Sequence, residues 1–272
     1  MKEIKLNNFN IGNNLPLTLI AGPCVLENKD HAFLMIEKLL DITKKLKINF
    51  IFKTSFDKAN RTSLSSERGV GFNEAIKIFE EIKNIYHCPI LTDVHNEFQC
   101  NEISNVVDIL QIPAFLCRQT DLLVSAAKTN KIINIKKGQF LSPYEINEVI
   151  NKLVKSNNTN ILLTERGYSF GYNNLVTDFR SLEIMKKTNY PVIFDATHSV
   201  QEPGLKGSSS GGKREFIAPL SKAAVSIGIA GIFIETHNNP EIAPSDGSNM
   251  LPVKELENLL KKLIQFDEIA KS

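Results

Sequence analysis

The chain lacks most features that would place it among specialised protein classes. There is no charge excess, because its 32 basic and 30 acidic residues are interspersed and leave a formal charge of +2. That balance excludes the dense one-sign surface of a nucleic-acid or membrane-surface protein. The four cysteines, Cys24, Cys88, Cys100 and Cys117, form no CxxC pair and no regular framework. A reducing compartment is therefore expected, not a disulfide scaffold. The opening MKEIKLNNFNIGNN has no apolar core of signal-peptide length, and no run is long enough to span a bilayer. AGPCVLEN follows the first apolar run where a dinucleotide-binding sheet would carry G-x-G-x-x-G. GSSSGGKR, residues 207–214, falls short of a P-loop: Arg214 stands where Ser or Thr must hold Mg²⁺, and no strand leads into it. A cytoplasmic enzyme without nucleic-acid or membrane partners is the expectation that remains.

What is present is order. At 272 residues the chain has the length of one α/β barrel, about 250 residues. Eight short apolar runs recur: LTLIAGPC, INFIFKTS, CPILTDVH, VDILQIP, IINIKKGQ, NILLTERG, PVIFDATH and GIFIETH. Each begins β-branched or aliphatic and finishes polar. The gaps carry helical periodicity. AFLMIEKLLDITKKL spaces Phe33, Ile36, Leu39 and Leu40 along one face, and FNEAIKIFEEIKNI, TDLLVSAAKTN, PYEINEVINKLVK, DFRSLEIMKKT, APLSKAAVSIG and PVKELENLLKKLIQF read alike. This alternation predicts an α/β protein, a single (β/α)8 TIM barrel domain over 1–272, in preference to an open doubly wound sheet. Lys2 to Asn13 alternates like a small hairpin, so residues 1–14 are expected to plug the N-terminal end of the barrel. Two loop-like stretches, 201–215 and 238–249, follow late strands and are expected to hang over the mouth as active-site loops.

A parallel barrel gathers the C-terminal ends of its strands at one mouth, and the residues at those ends are chemical. Lys53, Lys58, Arg61, Lys136 and Arg166 would all aim into one cavity. Five cations there repel one another without anionic ligands, which points to substrates bearing phosphate and carboxylate groups. The bland alternative is a set of rim cations paired with carboxylates such as Asp57 or Glu165. Cys24, His198, Glu235 and Asp246 would form a divalent metal site, and a thiolate with an imidazole suits Fe²⁺, Zn²⁺ or Mn²⁺ better than Mg²⁺. Their scattered positions make spacing weak evidence, and His95 and His237 are rival ligands. Asn60, Arg61, Thr62 and Ser63 form a polar cluster that could hold hydroxyls or a phosphate, or simply a solvated turn.

The motifs IAGPCVLE, FKTSFDKANRTS, LTDVH, QIPAFLCRQTDLL, IKKGQF, TERGYSFGYNNLVTDFRSL, FDATHSVQ, GIFIETH and PSDGSNMLP together resemble the 3-deoxy-D-manno-octulosonate-8-phosphate synthase family, from about Leu17 to Pro252. The resemblance implies a homotetrameric (β/α)8 barrel. Its reaction condenses phosphoenolpyruvate with D-arabinose 5-phosphate and water, releasing phosphate and supplying a lipopolysaccharide sugar acid. It implies Lys53, Lys58, Lys136 and Arg166 as the phosphoenolpyruvate clamp, with Gln111 beside that substrate and Ser55 among the substrate-binding residues. Asn60, Arg61, Thr62 and Ser63 would take arabinose 5-phosphate, and Arg118 would reach the sugar phosphate of an adjacent subunit. That family divides where Cys24 stands, Cys marking the metal-dependent branch and Asn the metal-free one. With Cys24, the resemblance makes His198, Glu235 and Asp246 the remaining metal ligands. Lys136, His198 and Asp246 are the expected catalytic residues. Three rivals stand beside this expectation: a 3-deoxy-D-arabino-heptulosonate-7-phosphate synthase, a Schiff-base aldolase using Lys136, and a non-enzymatic anion-binding or assembly scaffold. KANRTS speaks against the first, which typically carries KPRT at that turn.

Overall fold

Each apolar run becomes one strand, and the strands close on themselves. They are β1 (Thr18–Gly22), β2 (Asn49–Lys53), β3 (Ile90–Asp93), β4 (Ile109–Ile112), β5 (Ile132–Lys136), β6 (Ile161–Glu165), β7 (Val192–Asp195) and β8 (Gly231–His237). The computed structural model describes residues 1–61, 63, 66–202 and 211–272. Neighbours in chain order pair in parallel. β7 also pairs with β8, and β8 returns to β1 from Gly231↔Thr18 to Glu235↔Gly22. That closure rules out the open sheet.

The helices α1 (Lys29–Leu46), α2 (Phe72–Tyr86), α3 (Glu97–Ile103), α4 (Thr120–Lys128), α5 (Ile146–Lys155), α6 (Arg180–Lys186), α7 (Ile217–Val225) and α8 (Val253–Lys271) follow the strands one by one. In α1 the Asn28 side chain accepts from His31 N, and Ala32, Met35, Ile36 and Leu39 form the buried stripe. α3 is the helix that the periodicity did not announce. It has seven residues and buries only Cys100 and Ile103, so its start is set by the Asn96 cap on Gln99 N.

Side chains alternate faces along a strand, and here the two faces build two cores. Outward residues such as Leu19, Phe52, Leu110, Ile135, Leu163 and Phe194 pack with the helices. Inward residues Ile20, Ile51, Leu91, Ile109, Ile132, Leu162, Ile193 and Phe233 form the second core. Ile4, Leu6 and Ile11 join that inner core from an antiparallel hairpin, Ile4–Leu6 against Phe9–Ile11. The expected plug is thus in place. Asn13 secures it by donating to Tyr190 O and accepting from Val192 N at the start of β7.

Of the two expected loops, Gln201–Glu202 pairs with Gly211–Gly212 in a two-residue ladder, and 203–210 lie outside the described residues. Residues 238–249 contain a short 3-10 turn, Pro240–Ile242.

Candidate active site at the barrel mouth

The same alternation that fills the barrel with Ile, Leu and Phe ends in charge. Two residues beyond each inner apolar residue stand Lys53 after Ile51, Asp93 after Leu91, Gln111 after Ile109, Asp195 after Ile193 and Glu235 after Phe233. On β5, Asn134 intervenes between Ile132 and Lys136; on β6, Thr164 intervenes between Leu162 and Arg166, just past the strand. Chain topology thus carries Lys53, Asp93, Gln111, Lys136, Arg166 and Glu235 to one cavity of about 720 Å³, with Asp195 buried beneath it, within the usual size of a small-molecule site.

Lys53, Ser55, Lys58, Asn60, Arg61, Gln111, Lys136, Arg166, His198, Glu235 and Asp246 line that cavity. Cys24 is buried just behind it and touches Asp246. Ser63 and Arg118 do not line it, Arg118 being exposed on the turn after β4. Thr62 lies outside the described residues.

The cations are held by partners distant in sequence. Lys53 donates to Glu235 Oε1 (2.8 Å) and to Cys24 O (3.2 Å). Lys58 donates to Asp246 Oδ2 (2.6 Å) and Cys24 Sγ (3.2 Å). Lys136 pairs with Asp195 and lies 3.5 Å from the centroid of the Phe233 ring. Arg166 Nη2 donates to Gln201 Oε1 at 2.9 Å, while its buried Nη1 has no partner among the described residues. A guanidinium N–H so placed suits an oxyanion acceptor. Burial pulls the Arg166 guanidinium down to about 10, still cationic at neutral pH. Arg61 ties the segment after β2 to the loop after β8, donating to Ser245 Oγ (2.9 Å) and Pro244 O (2.7 Å). Rim pairing with Asp57 or Glu165 does not account for the five cations: Asp57 takes Arg68, and Glu165 faces away from the cavity.

The thiol cluster is compact. Cys24 Sγ, a Glu235 carboxylate oxygen and an Asp246 oxygen lie within 4.8 Å of one another, and Sγ to Asp246 Oδ2 is 3.3 Å. His198 stands beside this group, its Nε2 3.7 Å from Glu235 Oε1. Asp195 fixes the turn that carries it, accepting from Thr197 N (3.1 Å) and His198 N (2.8 Å). Burial, reinforced by Lys136, Lys58, Arg166 and Lys53, pushes His198 well below its usual range. The ring is therefore neutral and keeps a lone pair, as a metal ligand needs. Gly22 makes the convergence feasible, since a Cβ there would collide with the Lys53 carbonyl oxygen. Asp246 adopts a left-handed backbone (φ 53°), held by Asn249 N and Met250 N donating to its carbonyl. The donor set fits a thiophilic divalent ion. Burial and Glu235 raise the Cys24 thiol far above an ordinary cysteine, so a cation must drive its ionisation.

Neither rival histidine belongs to this group. His237 sits with Glu27 and His31. Its Nδ1 accepts from Asn239 N (3.0 Å), which places the proton on Nε2, 2.7 Å from Glu27 Oε1. A ring so protonated is a hydrogen-bond donor, not a ligand. His95 instead lies against Asp93 (3.2 Å) after β3.

Asp93 and Asp195 are the functional carboxylates to which the sequence assigned no role; their inward register in LTDVH and VIFD was the available signal. Asp93 contacts Ser55 and His95 and faces Lys53. Burial works to raise its carboxyl, but His95 and Lys53 hold it well below the usual carboxylate range. A depressed acid stabilises the fold above the unfolded-state pKa, about 3.9, and that contribution disappears as pH falls through the native value. In urea titrations at neutral pH, Asp93→Asn should unfold earlier than wild type, the gap narrowing as pH drops below about 4. A gap independent of pH would remove the charge from the explanation.

The DAHP synthetase I family model matches residues 2–272. A 2-dehydro-3-deoxyphosphooctonate aldolase of Bartonella tribocorum is 56% identical over 269 residues, covering 99% of this chain and 97% of that protein. Proteins of the same name from Brucella anthropi (56%) and Brucella ovis (55%) match with the same coverage. The chain belongs to the DAHP synthetase I family, among its 2-dehydro-3-deoxyphosphooctonate aldolases. The cation-lined cavity of this chain has the charge to hold anionic molecules.

Proposed function

We propose that the chain condenses phosphoenolpyruvate with D-arabinose 5-phosphate and water, giving 3-deoxy-D-manno-octulosonate 8-phosphate and inorganic phosphate. One observation carries this: Lys53, Lys58, Arg61, Lys136 and Arg166 line a single cavity whose Glu235 and Asp246 form a cluster with the Cys24 thiol just behind the wall. Lys53, Lys58, Lys136 and Arg166 clamp phosphoenolpyruvate with Ser55 and Gln111 beside it, while Asn60 and Arg61 serve arabinose 5-phosphate. Carbon C3 of the enol attacks the aldehyde carbon of the open-chain sugar. Water adds at C2, and the resulting hemiketal phosphate loses phosphate by C–O cleavage. Fixed cations orient the reactants and stabilise the oxyanions that develop. Gln111 is itself oriented by Asn134, which donates to its Oε1 (2.9 Å) and accepts from Thr164 (2.6 Å).

Cys24, His198, Glu235 and Asp246 would hold Fe²⁺, Zn²⁺ or Mn²⁺, supplying Lewis-acid polarisation or fixed geometry. A homotetramer is proposed with this activity: Arg118 is exposed and does not line its own cavity, and Phe98, Phe140 and Tyr144 are exposed side chains that a second copy would cover. No helix among the described residues is long and apolar enough to cross a membrane, and a cytoplasmic site of action is proposed with the pathway.

The test is phosphate release. It should require both phosphoenolpyruvate and arabinose 5-phosphate, and erythrose 4-phosphate should substitute poorly; preference for erythrose 4-phosphate would move the chain to the heptulosonate reaction. Burial and the neighbouring Lys53 push Lys136 well below an ordinary lysine, a trait that a Schiff-base amine would share. Borohydride with the keto-acid product, 3-deoxy-D-manno-octulosonate 8-phosphate, should nevertheless leave the mass of the protein unchanged, whereas a reduced adduct on Lys136 would establish the Schiff-base aldolase.

A further inference from the structure

Behind the cavity lies a second, outward-facing layer of charge. Glu165 and Lys137 are both fully buried, 3.6 Å apart at their nearest charged atoms, and neither lines the mouth. They sit on adjacent strand ends, directly next in sequence to Arg166 and Lys136, the two cations that do. Glu165 bends back on its own chain. Its Oε1 accepts from Arg166 N (2.9 Å) and Gly167 N (2.7 Å), and its Oε2 accepts from Ser181 Oγ (3.0 Å) on α6. Lys137 Nζ is tied in turn to Gly138 O (3.1 Å) and Leu141 O (3.0 Å), with the Tyr168 ring centroid 3.6 Å away.

The chain leaves β6 at this point. The Arg166 and Gly167 amides accordingly bond the Glu165 side chain, and Gly167 turns through φ +90°. Buried amides must find an acceptor, and this acceptor is an anion fixed from three sides. A shift of Glu165 therefore rotates the peptide that aims Arg166. A solvated turn would need no such support, and an ion pair hidden from solvent is a poor way to gain stability alone.

We propose that Glu165, braced by Ser181 and Lys137, is a positioning residue that sets the direction of the Arg166 guanidinium and hence the hold on phosphoenolpyruvate. This rests on Arg166 being a phosphoenolpyruvate ligand. The experiment measures KM for each substrate separately. Glu165→Ala alone would strand a buried ammonium, so Lys137→Met is combined with it. In Glu165→Ala/Lys137→Met the KM for phosphoenolpyruvate should rise about tenfold while that for arabinose 5-phosphate stays within about twofold, the mark of a displaced anchor. Glu165→Gln keeps an oxygen for the two amides and should stay within about threefold of wild type. An unchanged phosphoenolpyruvate KM in the double variant, or equal rises for both substrates, overturns the proposal. Where that variant does not fold, Ser181→Ala decides: a rise of about threefold in the phosphoenolpyruvate KM alone supports it, and no change overturns it. Arg166→Lys is the control, and an unaltered phosphoenolpyruvate KM there defeats the ligand role of Arg166 itself.

Discussion

Replacing Lys136 by Met should lower the turnover of phosphate release by about 10²- to 10³-fold, the usual effect of removing one preorganised donor from developing negative charge. The same change has a second consequence that can be separated from the first. Asp195 is fully buried, and Lys136 is the cation paired with it. Loss of that partner leaves an uncompensated carboxylate, which typically costs roughly 3–5 kcal/mol. Adding Asp195→Asn removes the stranded charge, and the amide retains an oxygen for Thr197 N, Thr197 Oγ1 and His198 N. The double variant should recover its urea midpoint without recovering its turnover. Recovery of both together would make Lys136 a structural counter-ion and remove it from the chemistry.

The barrel was legible because each strand is buried on both faces and so reads as a short apolar run. α3 was not, since EFQCNEI leaves Phe98 exposed and buries little, which blurs its period. For the site, the strand-end cations could be found because Lys53 and Lys136 close their runs. Their partners could not. Lys53 and Glu235 are 182 positions apart, and Lys136 and Asp195 are 59 apart, so only ring closure between β8 and β1 and the common inward register bring them together. The family resemblance supplied what spacing lacked for Cys24, His198, Glu235 and Asp246. It gave no hint that Lys58 would be the cation lying on both Cys24 and Asp246. Nor could one chain place Arg118, which is exposed and does not line its own cavity.

Chelation of the purified protein should cut phosphate release on the order of 10²-fold, with Fe²⁺ or Mn²⁺ restoring it and Mg²⁺ failing, because a thiol-containing donor set favours borderline ions. Electrostatics of the donor cluster gives the reason. Three donor groups converge on one point, and two ammonium groups already answer them: Lys58 on Cys24 and Asp246, Lys53 on Glu235. Asp246 and Cys24 outweigh burial and raise Lys58 well above an ordinary lysine, so that contact is firmly charged. Without a divalent ion, a cation assigned to phosphoenolpyruvate is thus held by protein donors, and apparent affinity for that substrate should fall together with turnover. Cys24→Asn separates the thiolate from the carboxylates, since the amide fills similar space but is a poor ligand for these ions. Its residual activity should no longer respond to chelator or to added Fe²⁺. Full wild-type activity in excess chelator, with Cys24→Asn titrating like the parent, would reduce Cys24 and Asp246 to neutralising partners of Lys58.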